Sequence, residues 1–230
     1  MHTVDLPLQA SYTGDTVLSS PTDKLVVMVS DHTVRGELVL AFREHWPYFK
    51  FALAMFIIGV IVGILMVDRI DLLALLGVED FEEVFPDEFT TLVILVNNSI
   101  VFILALVGVL SFGLLTVVIL LINGILVGYV ATPIAIEEGV DFLIVGLLPH
   151  GILELPAFFV AAAVTFRLLH RFILRVTDRR ERLVDPGEAR RIALLLIVAW
   201  IALAIAAAIE VHVTVWLLET LYPDAGANTT

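Results

Sequence analysis

The chain has 230 residues, of which 60% are hydrophobic, and its mean hydropathy is +1.00. Soluble domains contain roughly 45–50% apolar residues, so this composition excludes an ordinary soluble domain and indicates an integral membrane protein. The formal net charge of −12 excludes nucleic acid as an expected partner, and we interpret the acidic surface as a sign of a high-salt source. The chain has no cysteine, which excludes disulfides and thiolate metal sites.

The polar and apolar segments predict four regions along the chain. Residues 1–30 are polar without a sustained period and are predicted to be a flexible tail. In residues 31–48, apolar side chains recur at helical spacing between arginines, which predicts an amphipathic helix at the membrane interface. Residues 49–218 are predicted to form the transmembrane domain, and residues 219–230 a C-terminal tail. Apolar runs without the alternation of a β-barrel predict an all-α bundle of about five transmembrane helices.

Breaks in the apolar runs and the positions of arginines predict the topology. The run from Thr91 to Ile136 is about twice the roughly 20 residues that one span needs, so it must fold back, and Gly108–Gly113 is the predicted turn. The next run, Phe142–Leu169, is interrupted at Pro149–Gly151, which predicts a break in that helix. Arginines crowd between residues 167 and 191. The positive-inside rule therefore places this loop and the N-terminus in the cytoplasm, and the C-terminus outside the cell membrane.

Ionisable and amide side chains inside the apolar spans form the candidate site. A charge at membrane depth is costly, so each such residue is by default a hypothesis of function. At a rise of about 1.5 Å per helical residue, the predicted set lies in the outer half of the bilayer, and we expect no comparable polar set in the inner half. His212 is interpreted as an interfacial residue. The predicted pocket consists of Asn97, Asn98, Asn123, His150, Glu154 and Glu210.

The chemistry of this pocket stays open between a structural and a functional role. The acids and amides can cross-link helices through hydrogen bonds, or Glu154 and Glu210 can carry a proton or a cation. His150 and Glu154, four residues apart, share a helix face as metal ligands do, but without a defined third ligand the sequence leaves a metal undecided. We predict no cofactor and no catalytic residue. Since no hydrolase motif such as Gly-x-Ser-x-Gly or His-Glu-x-x-His occurs, a non-enzymatic protein is favoured.

Two pairs of glycines are predicted to pack helices closely. Gly59 and Gly63 form one small-xxx-small face, and Gly124 and Gly128 form another. Such faces let two helix backbones approach each other, either within one chain or between two copies. A homodimer is therefore one of the assemblies that the sequence leaves open.

Four motifs carry a resemblance to a known family. They are Asn97-Asn98, Asn123-Gly124-x-x-x-Gly128, the block from Pro149-His150-Gly151 through Glu154-Leu155-Pro156-Ala157, and Ala207-x-x-Glu210. Through these motifs, the region of roughly residues 45–218 resembles the stage II sporulation protein M family. The resemblance implies a five-span protein that acts as a membrane scaffold beside partner proteins that degrade peptidoglycan during engulfment. The acidic composition of this chain, which we interpret as a sign of a high-salt source, differs from the spore-forming setting in which that role is expected.

Two functions follow as hypotheses. The first is a non-enzymatic scaffold or assembly partner in the lipid bilayer, with membrane or cell-envelope proteins as partners. The alternative is a small proton- or ion-coupled transporter that uses Glu154 and Glu210. A water-filled cleft reaching Glu154 would favour the transporter, whereas a dry, hydrogen-bonded cluster would favour the scaffold.

Overall fold

The computed structural model describes residues 34–71, 74, 90–179 and 182–223. The regular structure of these residues is helical, and five segments are long and apolar enough to cross a membrane. This confirms the predicted all-α bundle. The helices are α1 (Val34–Met66), α2 (Thr91–Val107), α3 (Leu114–Glu137), α4 (Val140–Val176), α5 (Pro186–Ala208) and α6 (Val215–Leu221), and the π-helical turn Ile209–Thr214 joins the last two into one span.

The chain divides into two units, Met1–Glu37 and Leu38–Thr230, and the second contains the bundle. Within α1, the described part of the predicted interfacial segment continues into the first span without a break. Its position at the membrane interface stays a prediction. The predicted tail of residues 1–30 lies outside the described residues, as do residues 224–230 of the C-terminal tail.

The long apolar run folds back at the predicted glycines. α2 begins after Thr90, whose hydroxyl accepts a hydrogen bond from the backbone N–H of Val93. It ends in a 3₁₀ turn at Gly108–Ser111, and Phe112 and Gly113 then take left-handed φ angles of 54° and 81°. Glycine adopts this conformation without steric cost, so Gly113 lets the chain reverse into α3.

The predicted break at Pro149–Gly151 is wrong, because α4 runs from Val140 to Val176 through both Pro149 and Pro156. A proline removes a backbone hydrogen bond, but in membrane proteins neighbouring helices and local adjustments satisfy the freed carbonyl. Every residue from Ala157 to Arg167 is buried. A helix that is buried on all sides lies at the centre of a bundle, so α4 is the helix around which the other spans pack.

Threonines and alanines bring the helices together around α4. The hydroxyls of Thr116 on α3 and Thr165 on α4 each donate a hydrogen bond of 2.8 Å to the carbonyl of Ala105 on α2. Ala161 is fully buried, and its small side chain leaves room for the aromatic rings that fill the core. Three spans therefore meet at a single backbone carbonyl.

The two glycine pairs pack α1 against α3. A Cβ placed on Gly124 would lie 3.0 Å from the Cα of Gly59 and 2.9 Å from the backbone nitrogen of Val60. A Cβ on Gly63 would lie 2.8 Å from the backbone nitrogen of Tyr129, and one on Gly128 would also meet α1 backbone. Both glycine faces are therefore used within the chain, and a second copy would have to bind another surface.

Candidate functional site

His150, Glu154 and Glu210 meet between α4 and the π-helical turn. One imidazole nitrogen and one oxygen of each carboxylate lie within 4.8 Å of one another, and all three residues are half-buried. His150 and Glu154 share a face because they are four residues apart on α4. Glu210 reaches them from the fifth span. The structure therefore brings together these three of the predicted pocket residues, while their role stays a prediction.

Two further polar side chains complete this group, which we call the acid–histidine cluster (Asn98, His150, Glu154, Glu210 and Thr214). The side chain of Asn98 on α2, which is 8% exposed, lies close to the carboxylate of Glu154. The hydroxyl of Thr214, also buried, lies 3.4 Å from Nδ1 of His150. The cluster therefore links α2, α4 and the π-helical turn.

The π-helical turn at Ile209–Thr214 supplies both Glu210 and Thr214. π-helices are rare, and they occur mostly as single turns within α-helices, frequently at functional sites. This segment contains neither proline nor glycine, so nothing in the local sequence indicated the irregular turn. Thr214 is accordingly the member of the cluster that sequence reasoning missed.

The other predicted pocket residues lie apart from the cluster. Asn97 is exposed on α2. Asn123 donates a hydrogen bond of 2.8 Å to the carbonyl of Ile119 on its own helix. His212, for which the sequence predicts an interfacial position, is exposed, and its Nε2 lies 3.3 Å from the hydroxyl of Thr91. The amides at 97 and 123 therefore do not join the acids.

A second buried polar group, which we call the arginine network, lies at the arginine-rich end of the bundle. Nη2 of Arg167 lies 2.6 Å from Oε2 of Glu44 and 2.9 Å from Oε1 of Glu188. Arg171 also pairs with Glu188, and Arg191 lies 3.3 Å from Glu44. Arg167 is 6% exposed and Glu188 is 2% exposed, so these charges are paired with one another inside the protein. The network links α1, α4 and α5.

His45 on α1 joins this network as a neutral ring. Its Nδ1 lies 2.7 Å from the carbonyl of Ala41, and its Nε2 lies 3.3 Å from Nη1 of Arg167. A carbonyl can only accept a hydrogen bond and a guanidinium can only donate one. The neutral tautomer with its proton on Nδ1 satisfies both contacts.

This second buried polar group was not predicted from the sequence, and its depth in the bilayer, and with it the expectation for the inner half, stays a prediction. Thirteen residues separate Glu154 from Arg167 on α4, which places the two groups about 20 Å apart along the helix. Arg167 falls inside the apolar run that ends at Leu169, and a charge there requires a partner. The position of Arg167 inside an apolar run therefore indicates a buried ion pair, but it does not identify Glu44 and Glu188 as the partners.

Two apolar grooves of about 370 Å³ each open on the surface of the bundle. Leu147, Gly151 and Phe159 line one of them, and Val60 and Gly128 line the other, together with further apolar residues. Neither groove is lined by His150, Glu154 or Glu210. These two openings therefore do not lead to the acid–histidine cluster.

The family model described as Stage II sporulation protein M matches residues 52–215, which contain the acid–histidine cluster and Arg167. The chain belongs to this family. An uncharacterized protein of Methanocaldococcus jannaschii is 30% identical to it over 164 residues, which cover 70% of this chain and 90% of that protein. No solved structure matches the chain significantly. Family membership and the five apolar helices together identify a multi-pass membrane protein of the stage II sporulation protein M family.

Proposed function

We propose that this member of the stage II sporulation protein M family is a non-enzymatic membrane scaffold that assembles with other proteins of the membrane or cell envelope. The observation that carries the proposal is that buried and half-buried polar side chains from different helices contact one another in two separate parts of the bundle. A scaffold must present its surfaces in one fixed arrangement, and such contacts stabilise one arrangement.

At one end, the acid–histidine cluster supplies these contacts. Asn98 lies close to Glu154 at the contact between α2 and α4, and His150 lies beside Thr214 at the contact with the π-helical turn. Hydrogen bonds between membrane helices contribute about 0.6–2 kcal/mol each. Polar groups that are engaged in this way support a structural role.

At the other end, the arginine network holds α1, α4 and α5 together. Arg167 contacts both Glu44 and Glu188, which come from different spans. Removing one partner from a buried ion pair is strongly destabilising, by about 3–5 kcal/mol. Relative movement of α1 and α5 would break these pairs, so the network opposes the rocking of helices that transport requires. Because arginines are concentrated at this end of the bundle, we place this end and the N-terminus in the cytoplasm.

A coupled transporter is the second candidate, and one observation favours it. Glu154 and Glu210 are neighbouring carboxylates at membrane depth, and Glu210 belongs to an irregular helical turn. Transporters bind ions where a membrane helix departs from regular geometry. This arrangement could carry a proton or a cation if the helices around it moved.

Reconstitution into sealed vesicles separates the two candidates. Purified protein is incorporated into liposomes that contain a pH-sensitive dye, and a membrane potential is imposed with potassium and valinomycin. The scaffold predicts proton entry equal to that of protein-free liposomes. A parallel assay with a fluorescent chelator measures the entry of Zn²⁺ and Mn²⁺.

Protein-dependent entry would overturn the scaffold if it disappeared in Glu154→Gln and persisted in Glu219→Gln. Glu219 is the matched control because it is an exposed carboxylate on α6, in the same span as the cluster. Glu219→Gln removes one negative charge and leaves both Glu154 and Glu210 in place. Equal leak in wild-type and protein-free vesicles supports the scaffold.

A further inference from the structure

We propose that His150, Glu154 and Glu210 form a binding site for a divalent transition-metal ion of the size of Zn²⁺ or Mn²⁺. The inference goes beyond the scaffold proposal and does not depend on it, since a bound ion can serve a rigid bundle as a cross-link. It rests on the geometry, chemistry and charge of the three side chains.

The distances among the three ligating atoms suit one small ion. Bonds of about 2.0 Å at tetrahedral angles place two ligand atoms about 3.3 Å apart. The nitrogen of His150 and the oxygens of Glu154 and Glu210 all lie within 4.8 Å of one another. Closing that gap requires movements of about 1.5 Å at most, which side-chain rotation can supply without moving the helices.

The donor atoms select the class of metal. An imidazole nitrogen with carboxylate oxygens suits zinc, manganese and iron, whereas calcium and magnesium prefer oxygen ligands alone. His150 therefore argues against an alkaline-earth ion. Three protein ligands leave a fourth position for water, as is usual at zinc sites that are not closed.

Charge balance also favours a divalent cation. Two carboxylates at this separation repel each other when both are ionised, and the repulsion is stronger inside a protein than in water. A divalent ion with two carboxylates and a neutral imidazole has no net charge. Such a complex is compatible with membrane depth, where an uncompensated charge is costly.

Outer partners orient two of the three ligands. Thr214 lies against one ring nitrogen of His150, which leaves the other ring nitrogen to coordinate the ion. Asn98, which is buried, lies close to the carboxylate of Glu154, where its amide can donate a hydrogen bond to a carboxylate oxygen. Ligands of bound metals are usually held by such second contacts, and losing one typically weakens binding 10–100-fold. The neighbours of the cluster thus resemble the surroundings of a metal site.

Cobalt(II) is the probe for this site because its visible absorption reports on the bound ligands. Metal-depleted protein in detergent is titrated with Co²⁺, and bound metal per chain is measured by mass spectrometry after gel filtration. We expect one equivalent of Co²⁺ that Zn²⁺ displaces. His150→Gln, Glu154→Gln and Glu210→Gln should each weaken binding by at least about 100-fold, since a direct ligand matters more than an outer partner.

His212→Gln is the matched control, because His212 lies on the same π-helical turn but contacts Thr91 outside the cluster. It should bind Co²⁺ as the wild type does. Absence of stoichiometric binding to the folded wild type would overturn the proposal, and so would equal binding by Glu154→Gln and the wild type.

X-ray absorption of the metal-loaded wild type tests the same site without any variant, so a variant that fails to fold does not block the test. The expected spectrum shows an imidazole together with oxygen ligands, and a spectrum without imidazole would overturn the site. Failure of this proposal appears as absent metal binding. Failure of the scaffold proposal appears as ion entry into vesicles, so the two failures are distinguishable.

Discussion

Adding one methyl group at Gly124 should force α1 and α3 apart and destabilise the bundle. In Gly124→Ala the new Cβ would lie 2.9 Å from the backbone nitrogen of Val60, and closer still to the carbonyl oxygen of Phe56. Ordinary contacts between carbon and a backbone oxygen are about 3.3–3.6 Å. Both obstacles are backbone atoms, which cannot rotate away, so the helices must separate by roughly 1 Å.

The expected cost follows from the loss of this close packing. Overpacking a well-packed core costs about 1–3 kcal/mol, and van der Waals contact is a principal force between membrane helices. We therefore expect Gly124→Ala to lower the free energy of unfolding by about 1–3 kcal/mol. Titration with sodium dodecyl sulfate in mixed micelles, followed by circular dichroism, measures this quantity.

Gly151→Ala is the matched control. Gly151 is also a helical glycine, on α4, but a Cβ placed there meets nothing within 4 Å. Because alanine favours helix over glycine, this variant should be more stable than the wild type by about 0.5–1 kcal/mol. If Gly124→Ala is stabilised as much as Gly151→Ala, the close contact between α1 and α3 does not exist.

Two further predictions concern the arginine network and the topology. Arg167→Met should lower the free energy of unfolding by about 3 kcal/mol, because it removes the cation that pairs with Glu44 and Glu188. Arg175 lies on the same helix but is exposed. Arg175→Met should therefore change the free energy of unfolding by less than about 0.5 kcal/mol. Equal effects in chemical unfolding would contradict the network. Cysteine at Glu138 should react with an impermeant thiol reagent in intact cells, and cysteine at Thr177 only after permeabilisation; the reverse pattern would invert the proposed topology.

The number of spans could be predicted because the bilayer imposes it locally. A run of apolar residues twice the length of one span must turn within itself, and Gly108 and Gly113 marked the position. Likewise, the spacing of Gly59 and Gly63 identified a face for close packing without showing which helix would meet it. Such features depend on a short stretch of sequence and on the thickness of the membrane.

Features that depend on distant residues could not be predicted. Arg167 and Glu44 are 123 residues apart, so their pairing appears only when α1 packs against α4. Pro149 looked like a break because the packing that supports α4 around it is not visible locally. The π-helical turn likewise places Thr214 beside His150 by a departure from regular helix that the residue types did not indicate.

The scaffold proposal is tested most directly by measuring whether the bundle holds one arrangement. The chain has no cysteine, so spin labels attach only at cysteines introduced at Glu138 and Glu219, which are exposed positions. Pulsed dipolar spectroscopy in liposomes then gives the distance between these labels. The scaffold predicts one distance population that stays the same at acidic and neutral pH and with Zn²⁺. A second population that grows when the pH or the cation changes would contradict the scaffold and favour alternating access.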